Sequence, residues 1–284
     1  MRMKTRHAAL TFAMLLAPAL AAQGYSYDIS TTMTHTDRKT GRDTTLPMMM
    51  AHGQFEKGVS RLDVTHSMAP GGIMGTGTYI ISNSTTRMTT FVDPAKKQYM
   101  EFDIAELSKE AGDLTKALGG MMKIEITDVQ VNMESQGAGE KLEGYSTLKY
   151  KLTESYTMDM SIMGHSTKTP THNTTEMWIA PDLDAIMNPT ARPDLAKAAA
   201  ATGMMAPLTT AIMKAYANVK PGVPLKRVST NVSGEGDKLR TTVTTMLITN
   251  VKKGSIPASV FEVPAGYTKV DFAAAAAAAA PAKP

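Results

Sequence analysis

The sequence predicts an α+β fold: one large curved antiparallel sheet with helices covering its concave face. Three observations predict it. Leu148, Tyr150, Leu152, Tyr156, Met158, Met160 and Ile162 occupy even positions, with Lys149, Lys151, Thr153, Ser155, Thr157, Asp159 and Ser161 between them. That is period two, which a helix cannot satisfy. The chain carries 37 threonines among its 284 residues, and a β-branched side chain packs well on a pleat while its hydroxyl tolerates water. Helical stripes are confined to two regions.

The strands follow in order. Tyr25, Tyr27, Ile29 and Met33 alternate with polar residues, and 37–43 (D-R-K-T-G-R-D) is a turn. Leu62 and Val64 alternate with Arg61 and Asp63; Tyr79–Ile81, Met88–Val92 and Gln98–Phe102 read as short strands around the turn at Asp93-Pro94-Ala95-Lys96-Lys97. The strand at 148–162 would run about 50 Å, so it is expected to bend or bulge near Glu154, the residue that breaks its apolar face. Leu239, Val243, Leu247 and Val251 mark a late strand. For the helices, Asp103 with Glu106 caps a stripe of Ile104, Leu107, Ala111, Leu114 and Leu118, ended by Gly119-Gly120. A second helical region contains 182–187, 194–202 and Leu208–Val219, closed by Pro221-Gly222.

The ends of the chain have their own chemistry. Arg2, Lys4 and Arg6 precede an apolar run, and Ala19-Leu20-Ala21 supplies small residues at a cleavage site, so residues 1–21 are expected to be a signal peptide and the protein periplasmic. The formal charge of +4 belongs mostly to that segment; without it 27 basic residues face 26 acidic ones. No dense basic run remains to hold a nucleic acid, and no other stretch is apolar for long enough to span a bilayer as a helix. Zero cysteines exclude disulfides, thiolate metal sites and a lipidated cysteine anchor. The mature chain is thus expected to be one domain over 22–272, soluble and not lipid-anchored, with a disordered Ala/Pro tail at 273–284.

Five segments carry a resemblance. They are Val92-Asp93-Pro94-Ala95-Lys96-Lys97-Gln98-Tyr99, Gly144-Tyr145 leading into Leu148-Lys149-Tyr150, Trp178-Ile179-Ala180, Pro221-Gly222-Val223-Pro224-Leu225-Lys226, and Phe261-Glu262-Val263-Pro264-Ala265-Gly266-Tyr267. Over roughly residues 24–270 they resemble an exported bacterial family of unknown function ending in an F-x-V-P-x-G-Y motif. That family looks distantly similar to the periplasmic lipoprotein carriers, and the resemblance implies their LolA-like fold, an unclosed β-barrel (half-barrel) plugged by helices. The resemblance implies a fold and a loose binding function, and no catalytic residues. The same segments have plain structural roles as turns, helix stops and aromatic anchors.

Enzyme signatures are missing: no G-x-S-x-G, Walker loop, G-x-G-x-x-G after a strand or H-E-x-x-H. No cofactor is implied. The 23 methionines are the unusual feature. Thioether and imidazole suit Cu(I), but Met158 and Met160 face one way on a strand while Met163 and His165 face the other, so no metal site is assigned. Methionine more often serves as an adaptable apolar filler. The expected function is a non-enzymatic carrier whose apolar cavity takes a lipid or an acylated protein. Its expected lining is Leu148, Tyr150, Leu152, Tyr156, Met158, Met160 and Ile162 from the sheet, with Leu107, Leu114, Leu208 and Ile212 from the helices. A Met-rich Cu(I)-binding or oxidant-absorbing protein and an envelope scaffold are the alternatives. Oligomeric state is not legible.

Overall fold

The structure, a computed structural model, describes residues 24–271 apart from 37–39, 69–73, 104–121, 163–164, 184–205, 235 and 237–238. The expected signal peptide, the 104–118 helix with Leu107 and Leu114, the 194–202 helix and the Ala/Pro tail lie outside the described residues. Asp182 and Leu183 are described, and they form a turn after a strand.

Twelve strands form one sheet. They are β1 (Gly24–Thr36), β2 (Asp43–Glu56), β3 (Val59–Ser67), β4 (Tyr79–Asn83), β5 (Met88–Asp93), β6 (Gln98–Asp103), β7 (Met122–Ala138), β8 (Leu148–Ile162), β9 (His165–Ala180), β10 (Val223–Ser233), β11 (Arg240–Gly254) and β12 (Thr268–Lys269). Their spatial order is β12-β6-β5-β4-β3-β2-β1-β11-β10-β9-β8-β7. Two runs of sequential antiparallel neighbours, β1–β6 and β7–β11, meet at the β1/β11 seam. β12 returns to pair parallel with β6, so the sheet is mixed and unclosed.

The expected α+β class is overturned. Among the described residues there is one α-helix, α1 (Ala206–Tyr216), with a 3-10 turn at Ala258–Phe261. Among the described residues the fold is all-β, and no helix covers a whole face of the sheet. Part of the reason lies in β7. Its bulge between Thr127 and Gln130, with Asp128 at φ 55°, shifts the core-facing positions from Ile124 and Ile126 to Val131 and Met133. A strand whose alternation slips by one gives a weak periodic signal. The bend expected in β8 near Glu154 falls instead on this neighbour: β8 pairs with β9 in unbroken register from Leu148 to Ile162.

Three apolar clusters hold the sheet. The main one centres on Tyr27, Ile29, Ala51, Phe55, Leu62, Leu225 and Ile248. Gly53 lies opposite Tyr27, and its missing side chain leaves the slot that the ring fills. A second cluster joins Tyr150, Leu152, Met177 and Ile179 to Ala215 and Val219 at the end of α1 and just beyond it. The third, Tyr79, Ile81 and Val92, lies on the opposite face of the sheet from Leu62 and is covered by Phe261, Val263 and Tyr267 of the C-terminal segment. Arg61 locks that segment down. Its guanidinium stacks 3.7 Å from the Tyr79 ring, forks onto Asp63 and donates to the Val260 carbonyl.

Candidate functional site

The helix-facing side of β7–β10 gathers most of the lining expected from the sequence. Residues directly opposite one another across a ladder share a face. Rows therefore run Ser135–Tyr150–Met177–Arg227, Met133–Leu152–Thr175–Ser229 and Val131–Glu154–Asn173–Asn231. α1 lies over the first rows. Leu208, Ile212, Ala215 and Val219 recur at helical spacing, with Leu208 buried and Ala215 and Val219 packed on the sheet cluster. Two hydrogen bonds fix its end: the Tyr216 hydroxyl donates to the Met177 sulfur at 2.9 Å, and the Lys220 N–H donates to the Tyr150 hydroxyl at 3.3 Å.

Beyond this covered part comes a polar belt. Glu154 is 8% exposed, and burial holds its carboxyl above the usual range against the opposing pull of an Asn173 hydrogen bond and the Arg227 charge. Burial likewise raises the Tyr216 phenol, with Arg227 opposing. Arg227 donates to the Ser229 hydroxyl, Ser229 meets Thr175 at 3.0 Å, and Asn231 donates to Asn173. Past the belt the face turns apolar again. Tyr156 and Met158 are half-buried, Met160 is 37% exposed, and Ile126 opposite Met158 is buried.

The expected lining residues thus divide. Tyr150, Leu152 and Leu208 are buried, and Leu148 and Ile212 are half-buried. Tyr156, Met158 and Met160 continue the face beyond the helix. The side chain of Ile162, like Leu107 and Leu114, lies outside the described residues. Sequence reading missed Met177 and Ile179 of β9, Met133 of β7, and the Asn173, Arg227 and Tyr216 around Glu154. The lone acid in an apolar run was the one local signal of that belt.

The motif segments also find their places. Trp178 points to the opposite face, with the ammonium groups of Lys149 and Lys226 at 4.7 and 4.5 Å from its ring. Glu176 pairs with Lys149 and Glu140 with Lys226. The backbone at Gly139 passes so close to Trp178 that a Cβ there would lie 2.9 Å from the ring. Residues 44–267 match a family described as a domain of unknown function, DUF4412. The chain belongs to this family. No curated protein matches it. The DUF4412 match begins at the start of β2 and ends at Tyr267, so it takes in α1, the polar belt and the aromatic C-terminal segment. No described helix of this DUF4412 member is long and apolar enough to cross a membrane, and no described group of three or more His, Asp or Glu is placed to hold a metal ion.

Proposed function

We propose that this protein is an exported, periplasmic, non-enzymatic binding protein that carries an apolar ligand, a lipid or an acylated protein, on the helix-facing side of its open sheet. One observation carries the reading. The apolar face of β8 is closed by α1 only around Tyr150 and Leu152, and it continues as half-buried Tyr156 and Met158 and exposed Met160. Apolar surface left beside a polar collar is the usual layout of a ligand groove. Methionine suits such a lining, because a flexible thioether adapts to chains of different shape.

The test is direct. The protein is isolated from the periplasm under mild conditions, extracted with organic solvent and surveyed for lipid by mass spectrometry. A neutral fluorescent probe such as N-phenyl-1-naphthylamine is titrated in parallel into wild type and Met158→Asp. The expected results are co-purifying lipid, and probe binding that Met158→Asp weakens. No lipid, together with probe fluorescence that the substitution leaves unchanged, overturns the reading.

A further inference from the structure

The other face of the sheet holds a second concentration of chemistry. β2 and β3 pair antiparallel with Met49 opposite Ser67 and Met50 opposite His66. The Met68 N–H donates to the Met48 carbonyl at 3.0 Å, which continues the same register by one residue. Residues two apart on a strand share a face. Met48, Met50, His66 and Met68 therefore stand together on one side of the ladder as two adjacent cross-strand pairs. Met49, between them, packs on the main core cluster, so the four point away from the core. Met50 and Met68 are 42% and 45% exposed, and Met48 and His66 are half-buried.

The geometry suits one ion. Hydrogen-bonded pairs in an antiparallel ladder sit about 5.5 Å apart, and two residues along a strand span roughly 6.7 Å. Three thioethers and one imidazole at the corners of such a rectangle are long enough to reach a common centre. The imidazole is already oriented for it. His66 Nε2 lies 3.3 Å from the Pro47 carbonyl oxygen, which can only accept. In the neutral ring Nε2 therefore carries the proton, which leaves the lone pair on Nδ1. Metal-binding histidines are commonly held this way, with the second ring nitrogen donating to a backbone carbonyl. His52 follows Met50 on the same face of β2, but its Nδ1 is engaged at 2.8 Å by Asp28. Packing gives no reason for the cluster, since Met50 and Met68 cover little. A set of thioethers with one imidazole and no carboxylate selects a soft monovalent ion over hard divalent ones.

We propose that Met48, Met50, His66 and Met68 form a Cu(I)-binding site on the solvent side of the β2/β3 ladder. The site lies on the opposite face of the sheet from the apolar groove and stands independently of it.

The full chain is titrated anaerobically with Cu(I) in competition with a colorimetric chelator. The comparison set is wild type, the double variant Met50→Leu/Met68→Leu, His66→Leu, and Met160→Leu as an exposed methionine elsewhere. Methionine to leucine conserves volume, so the fold is retained, and a urea midpoint verifies this for each variant. The expected result is one Cu(I) per chain bound tighter than micromolar. The double variant should weaken binding by about a hundredfold or more, by analogy with loss of metal-site contacts, while Met160→Leu binds as wild type. X-ray absorption of the loaded protein should show sulfur scatterers with one nitrogen, and His66→Leu should lose the nitrogen. Wild-type binding no tighter than micromolar overturns the proposal. So does a double variant that binds as wild type, or an equal loss in Met160→Leu.

Discussion

Gly53→Ala tests how the main core is built. Tyr27 is fully buried, and it faces Gly53 directly across the β1/β2 ladder. A Cβ at Gly53 would lie 2.2 Å from Cε2 and 2.4 Å from Cζ of that ring. Carbon atoms pack at about 3.5–4.0 Å, so the ring must retreat by roughly 1.5 Å. It has nowhere to go, because interiors are close-packed and Ile29, Ala51, Phe55 and Leu62 belong to the same cluster. Overpacking of this kind costs about 1–3 kcal/mol, and a fully buried ring belongs at the upper end. Alanine returns roughly 0.5–1 kcal/mol through the lower backbone entropy of its unfolded state. The net expectation is a loss of about 2 kcal/mol, read as a lower urea midpoint at unchanged slope. The control is the same change in a Tyr27→Leu background. There the slot is already empty, and alanine should be neutral or stabilising, so the two sites couple by about 2 kcal/mol. A Gly53→Ala protein as stable as wild type, or one equally destabilised in both backgrounds, refutes the slot argument.

Three other expectations follow from single side chains. The Tyr79 hydroxyl is buried without a hydrogen-bond partner among the described residues, so Tyr79→Phe should leave stability unchanged or raise it by up to about 1 kcal/mol, measured by thermal or urea unfolding. Burial holds the Glu154 carboxyl above its ordinary value, so the folded state grips that proton more tightly than the unfolded state does. Wild-type stability should then fall as pH rises from the ordinary carboxylate value through the raised one. Glu154→Gln should remove that decline in a pH series of urea midpoints. Asp28 behaves oppositely. Hydrogen bonds from His52 and Asn250 hold its carboxyl below the ordinary value, so the stability it adds is present above the ordinary value and fades as pH falls through the depressed one. Asp28→Asn should flatten that part of the acid limb in the same assay.

What could be read ahead of the structure depended on how local the determinants were. The face of β8 was plain, because its alternation is unbroken and one side is apolar. β7 was not, since the bulge at Asp128 moves the core-facing set from Ile126 to Val131 and Met133. β9 is rich in threonine and histidine and buries Met177, Trp178 and Ile179 only near its end. In β11 the sequence pattern singled out Leu247 and Val243, yet the fully buried side chain is Ile248, on the other side. Both faces of that strand are partly covered, so alternation alone does not say which is inward. Helical stripes suggested a layered α+β fold, and the covering role of α1 proved local to Tyr150 and Met177. The Met50–His66 pairing needed the register between two strands, and no spacing within one segment encodes a register. The polar belt around Glu154 combines residues from β8, β9, β10 and α1 for the same reason.

The seam between β1 and β11 sets the order in which the molecule can be finished. Within β1–β6 and β7–β9 each strand pairs with its neighbour in sequence, and such local contacts form quickly. Ser30 and Leu247 meet only after more than two hundred residues of intervening chain have been made. During synthesis at about 5–20 residues per second, that leaves the outer hydrogen-bonding edge of β1 without its partner for roughly ten seconds or longer. The core strand that ends up at the centre of the sheet therefore spends the early life of the chain as an open edge, the form most prone to pairing with another molecule.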